Sequence, residues 1–363
     1  MVKKNNPPIP ALHDLSPGSA RLCLDVEAFY RHWLGLGPGA RLLAALSAGA
    51  DSTALTCILH ILAPRLQLRI AAVTIDHGLR REAALDVRCA QDLCKRLGIV
   101  CACRHADVAG LAAVRGRGLE EAGRHARYIL LERERQAQGA AFVALGHHAA
   151  DLSEDVLLRL TRGAGWPSLG GMAARDDARR LLRPLLFVQP DKLKALLQEC
   201  GVSWREDASN QEQRFRRNRF RHKILPLLRQ ENPNFDAQVR SLWKIARCDQ
   251  DYWESELDKA LTAHPWQTEE SGETLLLPRD LLRPLHQALR LRLYLKAVRH
   301  LHGQGESGGQ GRAATFLAMD RALQEGRGNK RFQLPGNLEA HLRRGEILFS
   351  RNYPRSVAIH ENV

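Results

Sequence analysis

Residues 47–53, Ser47-Ala48-Gly49-Ala50-Asp51-Ser52-Thr53, follow the apolar run 43–46 and lead into a helix-compatible segment. Small residues let backbone N–H groups turn toward an anion. The following helix adds its positive N-terminal end, and the hydroxyls of Ser47, Ser52 and Thr53 add donors. The chemistry offered is the binding of a phosphate-bearing ligand. The segment lacks the Gly-Lys-Ser/Thr ending of a Walker A loop and the Gly-x-Gly-x-x-Gly of a dinucleotide fingerprint. The competing reading is a strand-turn-helix junction whose small residues serve packing alone.

Four further segments carry candidate chemistry. Asp76-His77-Gly78-Leu79-Arg80 ends an apolar run with a polar cluster, where Asp76 either faces a ligand or caps the next turn. Arg124 and Arg127 are three apart in a helical pattern, so they share a face. Either can meet a phosphate or pair with Glu120 or Glu121. In Gly146-His147-His148-Ala149-Ala150-Asp151-Leu152-Ser153-Glu154, the carboxylates Asp151 and Glu154 also share a face. They can hold an ammonium group, or simply complement a helix dipole. From 214 to 223 the chain carries Arg214, Arg216, Arg217, Arg219, Arg221 and Lys223, with Phe215 and Phe220 interleaved and no acidic residue. Such a run is either a solvated helix face or a surface for RNA, because arginine both pairs with phosphate and stacks on bases.

The elements needed to hold these segments are legible in the apolar pattern. Runs at 43–46, 68–76, 99–103 and 141–145 read as strands, and helical patterns lie between them, with Gly98, Gly139 and Gly201 after helix ends. This alternation predicts an α/β fold, a doubly wound, mostly parallel five-stranded sheet with helices on both faces. Ligands of such sheets sit beyond the carboxyl ends of the strands, where residues 47–53, 76–77 and 147–148 all fall. Helical periodicity over 235–261 and 280–301, then a β meander over 331–350, predict a mainly helical C-terminal domain with a small terminal β element. The stretch 303–311 reads as a flexible linker, followed by a helix over 312–324.

Composition narrows the function classes. The 363 residues suffice for two or more cores, and a formal charge of +14 favours a polyanionic partner. The polar, Pro-rich opening and the lack of a long apolar run lead us to expect a cytoplasmic protein. The eight cysteines contain no Cys-x-x-Cys pair, so we read them as reduced thiols; Cys101 and Cys103 are expected as small buried hydrophobes rather than metal ligands.

The loop 47–52 resembles the Ser-Gly-Gly-x-Asp-Ser loop of the N-type ATP pyrophosphatases. In order along residues 43–228, the loop, Asp76-His77-Gly78-Leu79-Arg80, Glu120-Glu121-Ala122-x-Arg124-x-x-Arg127-Tyr128, His147-His148-Ala149-x-Asp151, Arg162-Gly163-Ala164-Gly165, Arg183-Pro184-Leu185-Leu186 and the 207–226 segment are similar to the tRNA(Ile)-lysidine synthases. The resemblance implies domains at 37–213 (ATP pyrophosphatase) and 235–363 (mainly helical, tRNA-binding), with an extension at 1–36 and a basic connection at 214–234. It implies an ATP-dependent ligase that adenylates the C2 oxygen of the wobble cytidine of an isoleucine tRNA bearing a CAU anticodon. Free lysine then displaces AMP to give lysidine, which changes codon reading from AUG to AUA.

The resemblance also distributes roles. Asp51, Asp151 and Glu154 are expected to be catalytic, with Mg²⁺ at Asp51 and lysine at Asp151 and Glu154. ATP is expected at Ser47, Ala48, Gly49, Ala50, Asp51, Ser52, Thr53, Asp76, His77, Arg127 and His147, and tRNA at Arg214, Arg216, Arg217, Arg219, Arg221 and Lys223. The chain departs from the family pattern at Ala48, where a Gly is usual, at Ala150 and Leu152, usually Asp and Gln, and at Asp155, usually Thr. Two alternatives are a tRNA thiolase of the same superfamily, against which the missing Cys-x-x-Cys pairs argue, and a non-catalytic RNA-binding relative.

Overall fold

The apolar runs form a parallel sheet. Its strands are β1 (Arg41–Ala45), β2 (Arg69–Asp76), β3 (Cys101–His105), β4 (Phe142–Ala144), β5 (Arg175–Asp176) and β6 (Leu181–Leu182). Their order is β3-β2-β1-β4-β6-β5, and every pairing is parallel except that of the two-residue edge strand β5 with β6. The expected parallel strands are present, and β5 brings the sheet to six. The computed structural model describes residues 8–76, 83–106, 119–205, 216–268, 273–302 and 313–351.

Helices α2 (Ala50–Leu66), α3 (Ala83–Leu97) and α4 (Leu119–Ala137) link successive strands from β1 to β4; α5 (Ala149–Leu160) follows β4, and α6 (Pro190–Glu199) follows β6. The chain runs outward from β1 through β2 to β3, then returns to place β4 on the other side of β1. The reversal of direction falls between β1 and β4, the position at which sheets of this kind hold a ligand crevice beyond their strand ends. Leu42, Leu43, Ala44, Ala72, Val73, Val143 and Ala144 are all buried, which is why these strands are apolar on both faces.

α2 is buried on nearly every side, from Ser52 to Leu62. Part of its cover is the helix α1 (Pro17–Phe29), continued by a π-helical turn at Tyr30–Leu34, with Cys23, Val26, Tyr30 and Leu34 buried. The hydroxyls of Ser16 and Ser19 donate to Glu199, tying the start of α1 to the end of α6. The segment expected as an extension thus contributes to the core of the sheet domain.

The basic segment folds as a short helix α7 (Arg216–Arg219), a π-helical turn (Phe220–Ile224) and α8 (Leu225–Glu231). The long helix α9 (Phe235–Ala263) follows. Two compact units divide the chain, one of residues 1–162 and 171–242, the other of 163–170 and 243–363, so α9 begins in the first and ends in the second.

The second unit contains α10 (Arg279–Leu282), α11 (Gln287–His302) and α12 (Ala313–Gln324), with strands β7 (Gln267–Thr268), β8 (Thr274–Pro278), β9 (Lys330–Leu334), β10 (Leu338–Leu342) and β11 (Glu346–Arg351). These strands form one antiparallel sheet in the order β7-β8-β11-β10-β9. The terminal meander is present and is extended by β8 and β7. The single helix expected over 280–301 is divided around Pro284, which cannot supply an N–H to a continuous helix. Leu275, Leu277, Leu293, Tyr294, Met319, Leu338 and Phe349 build the core. Buried within it, Arg290 donates from Nε to one Asp320 oxygen at 2.6 Å and from Nη2 to the other at 2.9 Å.

Cys23, Cys57, Cys94 and Cys200 are buried and free, but Cys101 and Cys103, expected to be buried, are half-buried and exposed because β3 lies at the sheet edge; Cys248 is exposed too. Among the described residues no helix is long and apolar enough to cross a membrane.

Candidate functional site

The loop after β1 is folded by its own polar groups. Ser52 Oγ donates to the Gly49 carbonyl at 3.1 Å and accepts from the Ser47 amide at 3.1 Å, and it lies 3.1 Å from Ser47 Oγ. Gly49 is the N-cap of α2, and its carbonyl accepts from the Thr53 amide at 3.0 Å. The first turn of α2 thus points its amide dipoles at the crevice with Asp51 in that turn.

Ala48 has a φ of 61°, in the left-handed region, and is buried. A side chain there raises the backbone energy, which accounts for Gly being the usual residue of the resembling loop. The Ala48 carbonyl accepts from the Arg205 amide at 2.9 Å, so the chain after α6 is tied across the loop. Arg205 also pairs with Asp86 on α3.

The loop after β4 faces this one at very short range. A Cβ built on Gly146 would lie 3.0 Å from both the carbonyl carbon of Asp51 and the nitrogen of Ser52. Only a glycine lets the two loops approach so closely. His148 follows as the N-cap of α5, with Nε2 3.5 Å from Asp51 Oδ2 and Nδ1 3.5 Å from Asp151 Oδ2. Burial disfavours its charged form, but Asp51 and Asp151 outweigh that and hold the His148 pKa above the usual imidazole value. The sequence placed His148 at the ligand-binding end of the sheet but gave it no role of its own. Its signal was its position, one residue beyond His147 at a helix start.

His147 behaves oppositely. Burial first, then the positive charges of Arg183, Arg217 and Arg124, push its pKa down to about 4 despite Asp151. The imidazole is therefore neutral at physiological pH, able to offer one donor and one acceptor. Arg183, which follows β6, is itself buried, with Nη1 donating to the Ala173 carbonyl at 2.6 Å.

Asp151 and Glu154 come together as their spacing implies, and a cation is already seated on them. Arg221 Nη2 donates to Asp151 Oδ1 at 2.5 Å and lies 3.1 Å from Glu154 Oε2, while its Nε donates to Glu154 Oε2 at 3.2 Å. Arg217 Nε lies 3.4 Å from the other Glu154 oxygen, and the Asp151 carboxylate accepts the His148 amide at 3.0 Å. Burial opposes ionisation of Asp151, yet His148 and Arg221 hold its pKa below the usual value. For Glu154 burial wins over Arg221, so its pKa is raised.

The remaining predicted residues are less convergent. Asp76 ends β2 within 3.6 Å of His105 Nδ1, Arg127 is exposed on α4, and Arg124 stacks over Tyr128 at 5.5 Å. Arg216 donates to Thr161 Oγ1, whereas Arg219 and Lys223 are exposed. The basic run is therefore divided: Arg217 and Arg221 turn inward to carboxylates, and Arg216, Arg219 and Lys223 present outward. His77 and Arg214 lie outside the described residues.

Asp51 supplies one carboxylate, 43% exposed, at the first turn of α2. Mg²⁺ takes oxygen ligands and is commonly held by one or two carboxylates together with substrate phosphates, so Asp51 beside an anion-binding loop fits that ion. No group of three or more His, Cys, Asp or Glu able to enclose a metal occurs among the described residues.

The chain as a whole is similar to known proteins. Residues 25–228 match the PP-loop domain family. The chain is 47% identical over 325 residues to the tRNA(Ile)-lysidine synthase of Nitratidesulfovibrio vulgaris, covering 86% of this chain and 92% of that one. It is 35% identical over 285 residues to the protein of the same name from Geobacter sulfurreducens, covering 78% of this chain and 60% of the relative's length. Among solved structures, the U34-tRNA thiolase NcsA from Methanococcus maripaludis is similar in fold, with a TM-score of 0.51 at 15% identity over 62% of this chain and 80% of that one.

Proposed function

The chain belongs to the PP-loop family and, within it, to the tRNA(Ile)-lysidine synthases, and from that premise we propose that it joins lysine to the wobble cytidine of an isoleucine tRNA with a CAU anticodon at the expense of ATP. In the first step the cytidine C2 oxygen attacks the α-phosphorus of ATP and pyrophosphate leaves. In the second, the lysine ε-amine attacks C2 and AMP leaves. The amine must shed a proton to form the new C–N bond.

The observation that carries this reading is the meeting of an anion-binding loop with a paired-carboxylate cation site across Gly146 and His148. ATP phosphates would lie over Ser47 to Thr53. Mg²⁺ held at Asp51 would neutralise the charge on departing pyrophosphate. Asp151 and Glu154 would orient the incoming amine, which an arginine can otherwise satisfy. The outward cations Arg216, Arg219 and Lys223 would meet RNA phosphates. Sulfur transfer is less well supported, because the thiolase of similar fold carries a [4Fe-4S] cluster and this chain has no Cys-x-x-Cys pair.

The test supplies labelled lysine, ATP and unmodified isoleucine tRNA to the purified protein. Lysine should enter the tRNA with one AMP released per lysine, and only when all three substrates are present. AMP release with no lysine incorporated would defeat the proposal.

A further inference from the structure

Arg221 sits where the substrate cation is expected. Its guanidinium engages Asp151 and Glu154 through three contacts of 2.5 to 3.2 Å. Glu154 is further covered by Arg217 at 3.4 Å. A tethered guanidinium competes with a free ammonium ion at an advantage, because it gives up no translational freedom on binding. An amine ligand must therefore displace Arg221, and its apparent affinity falls by the fraction of molecules in which Arg221 has left.

Arg221 belongs to the π-helical turn Phe220–Ile224, between α7 and the Pro226-containing start of α8. π-Helical turns are uncommon and recur at functional positions. Two residues before and after it, Arg219 and Lys223 are exposed, and Arg216 lies one turn further back. A phosphate backbone docking on these residues also offers Arg221 an alternative planar anion, and arginine binds phosphate as readily as carboxylate.

From this juxtaposition we infer that Arg221 is an internal stand-in for the lysine ammonium, withdrawn from Asp151 and Glu154 when RNA docks on the 216–223 segment, so that the amine site opens only on the RNA-bound enzyme. The inference rests on the reading of Asp151 and Glu154 as the lysine site. Its consequence is an order of assembly: RNA first, amine second.

The experiment is equilibrium dialysis of labelled lysine against the full chain, with and without isoleucine tRNA and without ATP, on the native protein and on Arg221→Met. In the native protein, tRNA should tighten lysine binding by about tenfold or more. Arg221→Met should bind lysine without tRNA at least about tenfold more tightly than the RNA-free native protein, and tRNA should add little. Lysine affinity of the native protein that is indifferent to tRNA overturns the inference whether or not the variant folds. So does a variant that retains the full tRNA effect. If lysine is incorporated in turnover while its affinity ignores tRNA, the inference fails and the proposed reaction stands; if the native protein neither binds nor incorporates lysine with tRNA and ATP present, the reaction itself fails.

Discussion

Gly146 lies against the peptide that joins Asp51 to Ser52, and a methyl group on Gly146 would stand 3.0 Å from two backbone atoms and 3.1 Å from the Asp51 carbonyl oxygen. Neither partner is a flexible side-chain end, so the contact can be relieved only by separating the two loops. Gly146→Ala is expected to cost about 1–3 kcal/mol of stability. Relief needs a shift of a few tenths of an ångström, smaller than the misplacement of about 1 Å that costs roughly 100-fold in rate, so a loss of less than about 100-fold is expected. Thermal unfolding and the ATP dependence of AMP release measure the two effects; an unchanged ATP dependence would separate this contact from catalysis.

Ala48 supplies a second test of the same loop. Ala48→Gly relieves left-handed strain of about 1–2 kcal/mol but loses a buried methyl worth about 0.8 kcal/mol and adds chain entropy to the unfolded state. The expected net change is small, with ATP use preserved or improved. Ala48→Val, which places a β-branched side chain at a φ of 61°, should destabilise the protein markedly and raise the ATP requirement. Calorimetry on the pair distinguishes conformational strain from side-chain chemistry.

Asp51→Ala should lower AMP formation by on the order of 10²- to 10³-fold if, as proposed, the carboxylate holds the ion that would neutralise departing pyrophosphate. The outward cations are untouched, so tRNA affinity and its salt dependence should hold. Filter binding over a salt series, run beside an AMP assay, reads both.

Glu154→Gln keeps the shape of the side chain while removing its charge. Loss of a charge-assisted bond typically costs about 1.5–3 kcal/mol, a rise of roughly tenfold to a hundredfold in the lysine requirement. ATP dependence should barely move. A defect confined to ATP would move Glu154 from the amine to the nucleotide.

In the second unit, burial opposes the charge on Asp320, but Arg290, Gln287 and Tyr294 overcome it and hold the carboxyl pKa below its usual value. The stability from this lowered pKa is fully present above the unfolded pKa of about 3.9 and is lost as pH falls through the lower folded value. Asp320→Asn should cost about 3–5 kcal/mol near neutrality, since it leaves Arg290 buried beside a neutral group. The difference between native and variant should shrink in acid below about pH 4, as followed by denaturant unfolding across pH.

The sheet was legible because β1, β2 and β4 are buried on both faces, so 43–46, 68–76 and 141–145 stood out as apolar runs within two residues of the strands found, whereas β3, at the sheet edge and half-exposed to exposed along its length, was legible only through the apolar residues at 99–103. The short β5 and β6 gave no such signal, being two residues each. Helix α1 was hidden by a Pro-rich opening, although Cys23, Val26 and Tyr30 lie on one buried face. At the site, the pairing of Asp151 with Glu154 followed from helical spacing. That Arg221 would cover them did not, since a basic run looks alike whether it faces solvent or carboxylates. Nor could residue types alone reveal that Ala48 is left-handed.

The pairing of β1 with β4, Leu42 opposite Phe142, bears on how the molecule matures. Contacts between segments so distant in sequence form slowly, because a long loop must close before it is rewarded. Until they form, the loop at Ser47 has no opposing wall from Gly146 and His148. A partly synthesised chain therefore lacks one wall of the proposed nucleotide site, and ATP bound only to the finished unit would stabilise it by mass action while lending nothing to its precursors.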